Sequence, residues 1–121
     1  MSSAWLYVAG TVIFTVCAQL ILKGQVDDVG ELPGSASERI DFLMRLLVRP
    51  WVVAALLMAL AGALCWMVAL TRLDLSRAYP FMGLSFVLVL LGSAFFFSES
   101  LSIAKVAGVA LLCLGLLVGS R

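Results

Sequence analysis

Residues 51–70 read WVVAALLMALAGALCWMVAL, twenty positions without one Asp, Glu, Lys or Arg. A helix that crosses the hydrocarbon core of a bilayer needs about 20 mostly apolar residues, and this stretch meets that need without help. Three more runs of the same character flank it, at 4–22, 78–97 and 101–119. In lipid every backbone N–H and C=O must find a partner inside the chain, so these runs are predicted to be helices rather than strands. Trp5, Tyr7 and Trp51 fall near run ends, where aromatic side chains sit at the membrane–water boundary.

The rest of the composition agrees. Of 121 residues 64% are hydrophobic and 12% charged, against about 25% charged in a soluble domain. A chain this apolar has too little polar surface to cover a water-facing globule. The net charge of +1 gives no electrostatic case for nucleic acid, and the absence of histidine removes the commonest general base and metal ligand. Cys17, Cys65 and Cys113 lie inside apolar runs, with no second ligand at metal-binding spacing, and read as small buried hydrophobes. No metal site and no cofactor is expected. The first run has no basic segment before it, since Lys23 follows it, so it reads as a retained helix rather than a signal peptide.

Residues 1–121 therefore form a single transmembrane domain: an all-α membrane protein of four spanning helices with short loops. The second and third runs are linked by residues 71–77 and the third and fourth by about 98–100, which forces antiparallel neighbours. Pro80 falls in the first turn of the third helix, where a missing N–H costs little. The one long connection, 23–50, begins acidic and glycine-rich. Its second half predicts a short helix over about 36–48. Ser35 and Glu38 have capping-box spacing, and Ile40, Leu43, Met44 and Leu47 share a face away from Arg39, Asp41 and Arg45. That pattern suits an interfacial amphipathic helix between the first and second spans; a loop packed on helix ends is the alternative. Lys23, Arg39, Arg45, Arg49 and Lys105 face one side, against Arg72, Arg77 and Arg121 on the other. The positive-inside rule then places the long loop in the cytoplasm and both termini outside, by a small margin.

No span carries a charge at its centre, so candidate functional residues are polar and peripheral. Thr11, Thr15, Gln19 and Lys23 recur every four residues and stack along one face of the first helix. Gln19 is costly to leave unpaired in hydrocarbon, so this face should meet another helix or a hydrated cavity. Thr11 alone reads as interhelical glue, whereas Thr15, Gln19 and Lys23 read as a cavity wall. Tyr79 and Arg77 open the third helix, the first as a belt tyrosine or a ligand group. Glu99 sits where the positive end of the fourth helix favours a carboxylate. Gly108 and Gly115, seven apart on the fourth helix, form a candidate dimerisation seam.

The order of several short motifs adds a resemblance. Leu73-Asp-Leu-Ser-Arg-Ala-Tyr-Pro80, followed by Ser98-Glu-Ser-Leu-Ser-Ile-Ala-Lys-Val-Ala-Gly108, resembles the four-helix members of the drug/metabolite transporter superfamily. Within it, the small multidrug resistance exporters use a Glu in the first helix to exchange protons for cations; here Thr15 stands in that place, and Met82 where they usually carry Trp. Gln19-Leu-Ile-Leu-Lys23, Ala78-Tyr-Pro80 and Leu84-Ser-Phe-Val87 are instead similar to the subunits that flip aminoarabinose attached to undecaprenyl phosphate. The long loop does not match theirs.

That resemblance implies a subunit of a transporter, not an enzyme, that moves a polyprenyl-phosphate-linked sugar across the bacterial inner membrane for envelope or lipopolysaccharide modification. Its substrate groove would use Thr15, Gln19 and Tyr79, with Lys23 and Arg77 attracting phosphate. Its partners would be membrane lipids and a second four-helix chain, as homodimer or heterodimer, because transporters combine such repeats. A cation or metabolite exporter is the rival and would depend on Glu99. A non-transporting partner subunit, with its polar stripe consumed by helix contacts, is the second rival.

Overall fold

The computed structural model describes residues 3–119. Their helices, in chain order, are α1 (Ala4–Val29), α2 (Ala36–Leu47), α3 (Pro50–Leu70), α4 (Leu75–Ala78), a single 3-10 turn (Tyr79–Met82), α5 (Gly83–Phe97) and α6 (Ile103–Gly119). No strand occurs among the described residues. Three stretches are long and apolar enough to cross a membrane: α1, α3 and the Leu75–Phe97 stretch. α6 is a shorter apolar helix. The chain is an all-α membrane protein. Arg121 lies outside the described residues.

α1 runs further than its apolar character predicts. The hydrophobic run ends at Leu22, yet the helix continues to Val29 and closes at Gly30, whose φ of 106° suits glycine. Ion pairs explain the extension. Lys23 Nζ lies 3.0 Å from Asp27 one turn on. Arg49, at the head of α3, donates to Gln25 Oε1 at 2.8 Å and meets Asp28 at 2.5 Å. The polar tail of α1 is thereby tied to the start of α3, where apolarity alone suggested a loop.

The third span also starts early. Backbone N–H groups of Arg77 and Ala78 bond to the Asp74 carbonyl, so helix begins at Leu75. Pro80 then lies inside the span, where its lacking N–H would have served the Ser76 carbonyl. The chain answers with the 3-10 turn at Tyr79–Met82 before resuming as α5. α5 ends at Ser98 in the left-handed conformation, φ 53°.

α1 packs mainly on α3, then on α5, while α6 touches only α5 and the 3-10 turn to any extent. The α1–α3 seam is built from small residues. Ala4, Thr11 and Ala18 are buried on α1, and Ala55, Gly62 and Ala69 on α3, each set spaced by seven. The helices run antiparallel, and Thr11 Oγ1 lies 3.1 Å from the Gly62 carbonyl. The same register sets Ala4 opposite Ala69 and Ala18 opposite Ala55. Small side chains at such a spacing let helix backbones approach closely.

α2 begins as the sequence suggests, with Ser35 Oγ accepting from the Glu38 N–H at 3.3 Å. Its apolar surface divides. Phe42 and Leu46 are buried with Val52 against Leu22 and Val29. Ile40, Leu43, Met44 and Leu47 remain exposed. One flank therefore packs on helix ends, as the loop reading expected, and the other stays exposed. Arg39, exposed in the first turn of α2, turns back to donate to the Pro33 carbonyl at 2.8 Å.

Candidate functional site

Thr11, Thr15, Gln19 and Lys23 stand one turn apart along α1, and their surroundings change in order. Thr11 is 3% exposed; its hydroxyl is shared between the Tyr7 carbonyl at 2.9 Å and that of Gly62 at 3.1 Å. It is packing glue. Thr15 is half-buried, with its hydroxyl 3.7 Å from where a Cβ on Gly62 would stand. Gln19 is exposed, and its amide has no hydrogen-bond partner among the described residues. Val8, Val12 and Val16, on the same side of the helix nearer its start, are buried. The face is therefore covered over its first half and open from Gln19 onward.

The cover includes aromatic rings. Trp66 of α3 meets Tyr79 edge to face, centroids 6.1 Å apart, and Trp5 meets Phe81 at 4.7 Å. Tyr79 is still 63% exposed, but its neighbours place it at the far end from Lys23. Trp66 is one turn beyond Gly62 in one direction, and Gln19 one turn beyond Thr15 in the other. Tyr79 and Gln19 are thus separated by roughly 18 Å of helix axis. Arg77, exposed and without a partner for its guanidinium among the described residues, lies at the Tyr79 end.

Six candidate residues therefore form two groups. Gln19, Lys23 and Glu99 lie at the open end, with Thr15 one turn deeper at its edge, and Tyr79 with Arg77 marks the other. The link from α1 to Glu99 is the close approach of Gly24, where an added Cβ would stand 3.6 Å from the Phe97 ring. Glu99 also contributes to the electrostatic field at the Lys23 ammonium. Rather than opening α6, Glu99 sits in the link before it; its N–H bonds the Ser93 carbonyl at 3.5 Å, and its carboxylate is exposed. Lys23 is not a bare cation, since Asp27 takes one of its donors, but an ammonium has three.

Gly108 and Gly115 have open space where a Cβ would be. With Pro80, Leu111, Leu112 and Leu116 they line an open apolar groove of about 400 Å³. Among the described residues, Pro80 is the one residue from outside α6 that lines this groove. Sequence reading sought small residues there and missed those of the α1–α3 seam, although the seven-residue spacing of Ala55, Gly62 and Ala69 was there to find. It also missed Trp66, which nothing but its pairing with Tyr79 distinguishes from other span aromatics.

Fold and site together define a multi-pass membrane protein whose first helix carries a line of polar residues that is buried at Thr11 and exposed at Gln19 and Lys23. No protein-family model matches the chain, and no solved structure matches it. It is 38% identical over 122 aligned positions, covering 93% of this chain and 91% of the relative, to a protein of Erwinia tasmaniensis named "Probable 4-amino-4-deoxy-L-arabinose-phosphoundecaprenol flippase subunit ArnF". Proteins of Aeromonas salmonicida and Pseudomonas aeruginosa, each carrying the corresponding name for subunit ArnE, are 39% identical over 72 positions, 60% of this chain and 63% of theirs. The chain belongs to the family of 4-amino-4-deoxy-L-arabinose-phosphoundecaprenol flippase subunits.

Proposed function

We propose that this chain is one subunit of a transporter that carries a polyprenyl-phosphate-linked amino sugar across the bacterial inner membrane. α1, α3, the broken Leu75–Phe97 stretch and α6 would cross the bilayer, with α2 lying at its surface. The observation that carries this reading is Gln19: an exposed amide without a partner among the described residues, in line with Thr15 and Lys23 where the apolar run of α1 ends. Neutral donors and acceptors suit sugar hydroxyls, and a cation at the rim suits phosphate. The isoprenoid tail needs no protein tunnel, because it can remain in lipid while the headgroup crosses. The test is appearance of the headgroup on the far leaflet of vesicles containing this chain and a related second subunit. No translocation above protein-free vesicles would refute the reading.

The relatives are named as subunits, and four helices are half of the repeat pair from which such transporters are built. The open face of α6 is the proposed meeting surface with that second chain. Leucine at Gly108 or Gly115 meets empty space within the chain, so each variant should fold normally. Both Gly108→Leu and Gly115→Leu should shift the detergent-solubilised assembly from dimer toward monomer in sedimentation. An unchanged dimer in both would move the interface elsewhere.

A further inference from the structure

We infer that Glu99 selects the substrate by its amine: the carboxylate receives the ammonium of the amino sugar while the Lys23 ammonium holds the phosphate. This rests on the flippase reading above and adds to it a residue that distinguishes amino from neutral sugars. The relatives are named for a sugar that carries a 4-amino group and is linked to phosphate. A primary amine is a cation at neutral pH, so its recognition needs an anion that no cation of the protein already satisfies.

Few carboxylates qualify. Asp27 is paired with Lys23, Asp28 with Arg49, and Asp41 with Arg45. Asp74 lies at the opposite end, beside Arg77. Glu31 and Glu38 belong to the loop and the start of α2. Glu99 alone borders the junction of α1 with α5, and its carboxylate, which feels the Lys23 ammonium only at a distance, makes no hydrogen bond or ion pair among the described residues.

Its placement is also specified. Ser98 takes the left-handed conformation at φ 53°, and both its N–H and that of Glu99 turn back to the Ser93 carbonyl. A non-glycine residue adopts that conformation at some cost, and here it fixes the direction in which the chain leaves α5. The Gly24–Phe97 approach brings this cap to α1 beside Lys23. Glu99 and the Lys23–Asp27 pair then stand at the mouth of the open face, with the Gln19 amide one turn inside. A sugar with phosphate and amine on opposite sides of a single ring presents the complementary pair.

The test uses vesicles holding this chain and its partner subunit. Two probes are compared: the lipid-linked amino sugar, and the same molecule with a hydroxyl in place of the amine. The wild type should move the amino form about tenfold faster, the scale of one charge-assisted hydrogen bond. In Glu99→Gln that ratio should collapse toward one, and Glu99→Asp should keep part of it. The side chain of Glu99 makes no contact that folding needs, so loss of the ratio would report recognition. Equal rates for both probes in the wild type, or a ratio unchanged in Glu99→Gln, would overturn the role of Glu99 and leave the flippase reading standing. Failure of the wild type to move either probe would instead overturn the reading itself.

Discussion

Gln19→Leu should insert, assemble and resist unfolding like the wild type, yet lose transport of the lipid-linked sugar by about tenfold or more. The two halves of that expectation have separate causes. The Gln19 amide bonds nothing among the described residues, so its removal breaks no contact within the chain. Leucine is also cheaper than glutamine in hydrocarbon on any transfer scale, and stability should hold or rise. Transport is another matter. A carboxamide can offer two donors and an acceptor to sugar hydroxyls, and two lost hydrogen bonds at about 0.5–1.5 kcal/mol each amount to roughly tenfold or more. The measurement is headgroup translocation in vesicles, alongside thermal unfolding in detergent. Normal transport by Gln19→Leu would mean that the open face is not the path. Failure to assemble would mean that the amide bonds across the subunit interface, which favours a non-transporting partner role.

The largest stability effect is expected at Gly62. A Cβ there would stand 3.2 Å from Phe14 Cβ and 3.6 Å from the Thr11 carbonyl oxygen. The first of these atoms is fixed to backbone and the second is backbone, so neither can swing aside. Leucine must therefore push α1 and α3 apart at the centre of their seam. Separation would also stretch the approach of Thr11 Oγ1 to the Gly62 carbonyl. Overpacking of this kind costs about 1–3 kcal/mol, and the lost interhelical hydrogen bond adds roughly 0.6 kcal/mol. Gly62→Leu should lower the unfolding temperature in detergent far more than Gly108→Leu, although both place the same side chain on a glycine in a span. Equal losses in the two would show that the seam does not carry the fold.

That contrast marks the limit of what the sequence discloses. Four apolar runs were legible because length and the lack of charge are one-dimensional properties. The capped start of α2 was legible for the same reason: Ser35 and Glu38 are three residues apart. Helix ends were less so. The tail of α1 depends on Arg49 reaching back to Asp28 across 21 residues, and no local pattern records that. Gly62 was not singled out because a small residue shows that backbones can approach, not which helix approaches. Gly62 meets α1, while a Cβ on Gly108 would meet nothing within 4 Å among the described residues. The site shows the same division. The stacking of Thr15, Gln19 and Lys23 follows from helical period, but the separation of Tyr79 from them follows from Trp66, a tertiary neighbour.

Thr11 has a bearing on how the chain is made. Spanning helices leave the insertion machinery in order, so α1 resides in lipid before α3 has been synthesised. A hydroxyl waiting there for a partner would hold back insertion. Thr11 does not have to wait, because the Tyr7 carbonyl on its own helix lies 2.9 Å away. When α3 arrives, the Gly62 carbonyl joins as a second acceptor for the same proton, so docking is driven chiefly by close packing. Gln19 has no such local acceptor and carries its unpaired amide through biogenesis. In one helix, Thr11 and Lys23 thus find partners on α1 itself, the Tyr7 carbonyl and Asp27, while the Gln19 amide has none among the described residues.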